Sequence, residues 1–179
     1  MKTQKFNLVP VQSNIEWTGR KVTGSHNGTI AITQGELILN DGQLTGGKIA
    51  VDTTSIKIDD ITDPQTNAQF AGHLASDDFF SSQKFPEAQL DIISVKGKHV
   101  EAHLTIKGIT HPVEFDAAID VKGNELTANA TIIVDRTLYD MKFRSGNFFT
   151  NLGDTLIFNE IELNVAVHAT VEKKTVSVF

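Results

Sequence analysis

The stretch 107–121, KGITHPVEFDAAIDV, decides the fold class because apolar and polar side chains alternate along it. The apolar side chains share one parity: Val113, Phe115, Ala117, Ile119 and Val121. The acidic side chains share the other parity: Glu114, Asp116 and Asp120. A period of two is typical of a β-strand with one face against apolar material and the other in water. The pattern leaves open whether the apolar face meets other side chains or a ligand.

The same alternation recurs along most of the chain and is interrupted by turns that contain glycine. Asp41-Gly42 lies between two alternating runs and is a strong hairpin signal. We count about eight strands with mostly short connections, which favours antiparallel pairing. Pro112 has no N–H for a strand ladder, so we expect its strand to begin at or after this residue. Residues 100–107 and 113–121 are then predicted to pair as a hairpin.

One segment in the middle of the chain departs from strand periodicity. Asp63 suits an N-cap and Pro64 suits the first helical position, which predicts a short helix over about residues 64–76. The segment that follows has more phenylalanine than a polar loop needs. Four phenylalanines of the helix and this loop are predicted to form a plug or lid: Phe70, Phe79, Phe80 and Phe85.

The composition is that of one soluble globular domain over residues 1–179. The net charge is −6 and no basic stripe is present, which argues against nucleic acid or an anionic membrane as partner. The absence of cysteine excludes disulfides, thiolate metal sites and a cysteine nucleophile. No apolar signal-peptide region follows the first lysines and no run reaches transmembrane length, so we expect a cytoplasmic protein without stable membrane insertion.

Eight antiparallel strands leave sheet edges that a folded protein has to protect. Closure into a barrel removes those edges, and an eight-stranded barrel is just wide enough to be filled by side chains or to hold one small ligand. We therefore predict an all-β, antiparallel eight-stranded barrel with one short helix and a Phe-rich loop near its mouth. A two-sheet sandwich is the competing architecture.

The sequence shows no motif for catalysis, for a metal or for a cofactor. The nucleophile elbow, the phosphate-binding loop and the dinucleotide fingerprint are all missing. The histidines lack the spacing of a helical zinc site, and adjacent acidic residues on a strand or loop point apart. We predict neither catalytic residues nor metal ligands nor a cofactor. A catalytic site assembled from distant residues remains an alternative.

Five motifs resemble, in this order, those of the YceI-like family of lipocalin-like proteins associated with polyisoprenoid binding. They are WTGRKVTGSHNGTI (17–30), GQLTGGKIAVDTTSI (42–56), HLASDDFFSSQKFPEAQL (73–90), LTIKGITHPVEF (104–115) and VDRTLYDMKF (134–143). The resemblance implies a barrel of about eight strands around a long apolar channel, with a helix near one end. It also implies binding of amphiphiles with long isoprenoid or fatty chains, with links to stress responses or isoprenoid quinone metabolism. Many relatives are periplasmic.

Parity and resemblance together predict a non-catalytic protein that binds a long-chain isoprenoid or fatty amphiphile, as a carrier or store. The predicted ligand-binding residues are Trp17, Phe70, Leu74, Phe79, Phe80, Phe85, Leu104, Ile106, Val113, Phe115 and Arg136. Arg136 and Arg144 would hold a polar head at the rim. The alternative for Arg136 is a set of hydrogen bonds that fastens a strand end, and the alternative for Trp17 is core packing.

Two other functions stay open at this stage. One is a ligand-free barrel that acts as an interaction protein, and the other is an enzyme accessory to isoprenoid metabolism. A homodimer through an apolar patch near the Phe-rich loop is also left open.

Overall fold

The computed structural model describes residues 2–146, 152–153 and 156–172, which contain nine antiparallel strands and one α-helix. The elements in chain order are β1 (Thr3–Leu8), β2 (Asn14–Lys21), β3 (Gly24–Asn40), β4 (Gln43–Ile58), α1 (Pro64–Ala75), β5 (Glu87–Lys96), β6 (His99–Ile106), β7 (Ile109–Lys122), β8 (Glu125–Asp135) and β9 (Ile157–Val171). Single turns of 3-10 helix lie at Pro10–Gln12 and Arg136–Tyr139. No helix in these ranges is long and apolar enough to cross a membrane.

The nine strands close into a barrel with eight strand positions. β3 pairs with β4 at one side and the order continues through β5, β6, β7, β8 and β9. β1 and β2 share the remaining position, because each pairs with both β3 and β9. Phe6 of β1 lies opposite Leu37, whereas Ile15 of β2 lies opposite Ile30. The predicted eight-stranded barrel is confirmed, and the sandwich alternative is wrong.

Two tight hairpins set the register of neighbouring strands. Asp41 and Gly42 both have positive φ (50° and 81°) between β3 and β4, which is the turn that a two-residue hairpin favours. The hairpin predicted at these residues is therefore confirmed. Lys107 and Gly108 form a turn of the same kind between β6 and β7, with φ of 54° and 73°.

The start of β7 differs from the sequence prediction. β7 begins at Ile109, so Pro112 lies inside the strand, opposite His103 of β6. Counted from the two-residue turn, the nitrogen of Pro112 points away from β6. On that side β8 pairs with β7 only from Ala117 onward, so no ladder hydrogen bond is lost at the proline.

A register shift explains why two apolar pairs of opposite parity both face inward along β3. Ile30 and Ile32 occupy even positions and Leu37 and Leu39 occupy odd ones, yet all four are buried. The β3–β4 register shifts between Ile32 and Gln34. A bulge inserts one residue, so the inward parity changes there.

Helix α1 is capped and fastened to the end of β4. It runs from Pro64 to Ala75 as predicted, and the Asp63 carboxylate accepts hydrogen bonds from the backbone N–H and the hydroxyl of Thr66. The same bonds lower the pKa of Asp63. Asn67 donates to the carbonyl oxygens of Ile58 and Ile61 (2.8 and 3.0 Å). The helix is therefore held beside the barrel end at which β4 stops.

Arg136 fastens the start of β9 to the turn at Arg136–Tyr139. Its side chain is 1% exposed and donates to the carbonyl oxygens of Phe158 and Ile157 (both 3.0 Å) and of Met141. Burial lowers the pKa of the guanidinium group, and Asp135 opposes that shift. The group stays a cation, because arginine does not lose its proton in proteins.

Tyr139, on the same turn, is buried without making such bonds. Its hydroxyl has no hydrogen-bond partner among the residues that the structure describes, and its ring packs edge-on against that of His111, with 5.3 Å between the ring centroids. Burial, together with the charge of Asp135, raises the pKa of Tyr139 to about 12. The hydroxyl contributes no hydrogen bond to stability, which makes Tyr139 a natural control for Arg136.

We expect Arg136→Met to lower the free energy of unfolding by about 3 kcal/mol, because several carbonyl oxygens lose their donor inside the protein. Tyr139→Phe should change it by less than about 0.5 kcal/mol or raise it, since no hydrogen bond is lost. Urea unfolding followed by circular dichroism measures both variants. Equal losses in the two variants would contradict this account of Arg136.

Candidate functional site

One end of the barrel is packed solid. Side chains from five strands are buried there to 3% exposure or less: Phe6, Leu37, Leu39, Val100, Leu126 and Ala169. We call this the packed end. Interior side chains meet one another at this level, which is the usual outcome for an eight-stranded barrel.

The other end of the barrel encloses a cavity of about 640 Å³. Its wall is formed mainly by inward-facing apolar side chains: Ile15, Trp17, Ile30, Ile56, Leu104, Ile106, Val134, Ile161 and Leu163. Helix α1 and the loop after it contribute Phe70, Leu74, Phe79 and Phe80. A concave, mostly apolar pocket with a few polar groups is the usual form of a small-molecule site.

The division between cavity and packed end runs across individual strands. In β6, Leu104 and Ile106 line the cavity, whereas Val100 and Ala102 are each 1% exposed at the packed end. In β9, Leu163 lines the cavity and Ala169 is fully buried. Inward parity therefore places a side chain inside the barrel but does not decide whether it contacts a ligand.

Aromatic rings close the cavity beneath the helix. His73 of α1 packs edge-on against Phe79 and Phe143, with ring centroids 5.1 and 4.7 Å apart. Phe79 and Phe143 are themselves 5.9 Å apart. His26 of β3 lies 4.9 Å from Phe70. Such tilted and edge-to-face pairs are the favourable geometry for aromatic side chains, so this group is a packed unit rather than a set of loose rings.

The loop after α1, residues 76–86, is tied to the barrel by polar contacts. Ser82 donates to the carbonyl oxygen of Thr53 (2.9 Å), and the Thr53 hydroxyl donates to that of Phe85 (2.7 Å). Lys107 donates to the carbonyl oxygens of Asp77 and Asp140 (both 2.9 Å). These bonds fasten the loop on both sides of Phe79 and Phe80, which line the cavity.

Trp17 forms part of the cavity wall, and a hydrogen bond to the barrel backbone fixes its side chain. Its indole N–H donates to the carbonyl oxygen of Lys57 (3.2 Å), and the side chain is 9% exposed. A Cβ at Gly28, directly opposite in β3, would lie 1.7 Å from the Lys57 carbonyl oxygen and 2.8 Å from the Trp17 ring. Only glycine allows this approach. Trp17 therefore both packs and lines the cavity.

Most of the predicted ligand-binding residues line the cavity: Trp17, Phe70, Leu74, Phe79, Phe80, Leu104, Ile106 and Arg136. Their binding of a ligand stays a prediction. Val113 and Phe115 are not among the lining residues. They lie opposite Ala102 and Val100, which places them at the level of the packed end. Phe85 is also absent from the lining, because its ring packs beside Gly108 in the β6–β7 turn.

Positively charged side chains surround the cavity mouth. Arg20, Lys21 and Arg144 are exposed lining residues, Arg136 is a buried one, and His26 and His73 also line the cavity; no lining residue in the described ranges is a carboxylate. Each histidine has a carboxylate partner outside the lining. His26 lies 2.7 Å from Asp60 and His73 lies 3.1 Å from Asp78.

The carboxylate partner of His26 is held in its ionised form. Partial burial raises the pKa of Asp60, but hydrogen bonds from the Asn27 backbone N–H and from His26 outweigh burial, so the net shift is downward. His26 is therefore engaged with a fixed negative charge beside the mouth.

Sequence reasoning missed Arg20, Lys21 and Phe143. Strict alternation would send Arg20 and Lys21 to opposite faces of β2. Both nevertheless line the cavity, because they lie at the end of β2 that reaches its mouth. The β2–β9 register does shift between Gly19 and Lys21, but the additional residues lie in β9 between Ile157 and Ile161, where no glycine marks the shift in the sequence.

Two further surface features lie outside the cavity. A more open concavity of about 720 Å³ runs across β7, β8, β9 and β2, and most of its lining side chains are exposed. On the outer face of β6 and β7, possible ligand atoms of His99, Glu101 and Glu114 lie within 4.8 Å of one another. All three residues are exposed and His99 is already paired with Asp116 at 3.1 Å, so neither feature competes with the enclosed cavity as a site.

Comparison with solved structures shows the same fold in proteins of low sequence identity. BcnA from Burkholderia cenocepacia aligns over 91% of this chain and 99% of its own, with a TM-score of 0.71 and 15% identity. A polyisoprenoid-binding domain from Saccharophagus degradans aligns over 93% and 98%, with a TM-score of 0.68 and 10% identity. The YCEI protein of Campylobacter jejuni aligns over 74% and 75%, with a TM-score of 0.51 and 20% identity.

Comparison of the sequence gives the family. No curated protein matches the chain. The model of the YceI-like domain matches residues 6–169, which include every residue that lines the cavity. The chain therefore belongs to the YceI-like family.

Proposed function

We propose that this protein is a non-catalytic binding protein that holds the apolar chain of an isoprenoid or fatty amphiphile in the cavity. The observation that carries the proposal is an enclosed apolar space at one end of a barrel whose other end is packed. A protein interior leaves few voids larger than a water molecule, because each void forfeits packing contacts. A void of about 640 Å³ inside the barrel is therefore best explained by an occupant.

The volume suggests the size of that occupant. At about 30 Å³ for each water-sized group, a cavity of about 640 Å³ holds roughly 20 such groups. A fatty chain, or an isoprenoid of a few units, would fill it, whereas a much longer isoprenoid would extend past the mouth. Burial of each CH₂ contributes about 0.8 kcal/mol before the costs of ordering the chain.

The family supports the same class of ligand. One structural neighbour is described as a polyisoprenoid-binding domain. At 10% identity this neighbour supports the fold, and its ligand is taken here as support for an apolar chain rather than for one compound.

The two competing functions receive less support. A ligand-free interaction barrel would fill its interior along its whole length, as the packed end does. An enzyme would need a catalytic group in the cavity, but the described lining offers no carboxylate, and its two histidines are engaged with Asp60 and Asp78. A binding role needs no chemical group beyond those that already line the cavity.

We expect the protein purified from its native host to carry close to one lipid molecule per chain. Native mass spectrometry of the intact protein gives the stoichiometry, and solvent extraction followed by mass spectrometry gives the lipid. A consistently empty protein that also excludes prenyl and fatty amphiphiles in titration would overturn the proposal.

We expect Ala88→Phe to abolish ligand retention while lowering the free energy of unfolding by less than about 1 kcal/mol. Ala88 is an inward-facing cavity residue of β5, so the added ring would enter open space. The measurement combines native mass spectrometry with urea unfolding.

Ala102→Phe is the matched control. Ala102 has the same inward orientation but lies at the packed end with 1% exposure, so the same ring would displace packed atoms at a cost of about 1–3 kcal/mol or more. Equal stability losses in the two variants would mean that the two ends of the barrel do not differ as described.

A further inference from the structure

Three cationic residues lie around the first residue of β9. Lys21 lies opposite Ile157 in the β2–β9 register. The carbonyl oxygen of Arg144 accepts a hydrogen bond from the Ile157 N–H (2.8 Å). On the buried side, the Arg136 side chain donates to the carbonyl oxygen of Ile157 (3.0 Å). Ile157 lines the cavity, and so do Lys21, Arg136 and Arg144.

Arg20 adds a fourth cationic residue to the cavity lining. It precedes Lys21 at the end of β2, where the β2–β9 register shifts. We call Arg20, Lys21 and Arg144 the cationic rim; all three side chains are exposed, whereas Arg136 lies buried behind them.

The charge at the rim is only partly neutralised. Arg20 pairs with Glu162 at 3.1 Å. The nearby carboxylate of Asp135 caps the 3-10 turn, where it accepts hydrogen bonds from the N–H and hydroxyl of Thr137. Neither Lys21 nor Arg144 forms an ion pair with a residue in the described ranges. Arg144 instead lies over the Phe143 ring, 5.0 Å from its centroid.

This concentration of positive charge runs against the composition of the chain. The protein has 22 acidic and 16 basic residues, yet the described cavity lining contains four arginine or lysine side chains and no carboxylate. A cleft of one charge sign with low-dielectric walls focuses its field and raises the local concentration of a ligand of opposite charge.

We infer that the ligand carries an anionic head group, a carboxylate or a phosphate, which the cationic rim holds while the chain fills the cavity. The inference rests on the proposed binding function and adds the chemical class of the head. Arginine binds both oxyanions through paired N–H donors, and lysine adds a point charge. A neutral amide or alcohol of the same chain length gains neither interaction.

The test compares ligands that differ only in the head. Hexadecanoate, hexadecyl phosphate and hexadecanamide are titrated separately into delipidated protein, and binding is read from displacement of an apolar fluorescent dye. We expect both anions to bind about tenfold more tightly than the amide, the difference that a charge-assisted contact supplies. The two anionic arms show whether the rim prefers carboxylate or phosphate.

The variants place this preference at the rim. In the double variant Lys21→Gln/Arg144→Gln, the anions should lose about tenfold in affinity while the amide is unchanged. The control, Lys96→Gln/Lys122→Gln, removes the same net charge from two exposed lysines beside hairpin turns at the packed end, and should retain the preference. Rising ionic strength should weaken the binding of the two anions but not that of the amide, because the rim is exposed to salt.

The outcomes separate the two proposals. If all three ligands bind with equal affinity, the anionic head is wrong and the binding function stands. If the preference survives in the rim variant or disappears in the control variant, the rim is not its source and the inference fails. If no ligand binds, the proposed function fails and the inference fails with it.

Discussion

The interior width of an eight-stranded barrel is the constraint on which this structure depends. Facing side chains in such a barrel just reach one another, so small differences in residue size decide whether a given level is filled or open. Phe6, Leu39 and Leu126 meet at the packed end with essentially no exposure. At the other end, Trp17 is held back against the wall by its bond to the Lys57 carbonyl and by the close approach of Gly28. The result is one barrel with a solid half and a hollow half.

Helix α1 and the loop after it close the hollow half, and polar side chains hold both in place. Asn67 ties helix α1 to the end of β4, and Lys107 ties the Phe-rich loop to the carbonyl oxygens of Asp77 and Asp140. Arg136 ties the start of β9 to the turn that precedes it. Polar side chains thus position the aromatic wall. In the proposed function, the apolar wall contacts the chain of the ligand and the cations at the mouth contact its anionic head.

The sequence predicted features that depend on local chemistry and missed those that depend on the closed barrel. Asp41-Gly42 and the Asp63–Pro64 cap are local signals, and both elements form where predicted. The predicted start of β7 was wrong. Pro112 is tolerated inside β7 because β8 leaves that part of the strand unpaired, and this is a property of the whole sheet. Parity placed Leu104 and Phe115 inside the barrel alike, but their level along its axis separates cavity from packed end. Periodicity predicted the barrel but left its ligand open, and the resemblance of five ordered motifs supplied the class of ligand that we propose.

Fluorescence of Trp17 tests the central claim most directly, because it is the single tryptophan and forms part of the cavity wall. A fatty acid that carries bromine atoms on its chain is titrated into the delipidated protein, and a fatty acid without bromine serves as the control. The account predicts quenching that saturates near one equivalent and is lost in Ala88→Phe. Two results would show that no chain enters the hollow half. One is quenching that rises linearly without saturation, and the other is the absence of quenching at concentrations that saturate proteins known to bind fatty acids.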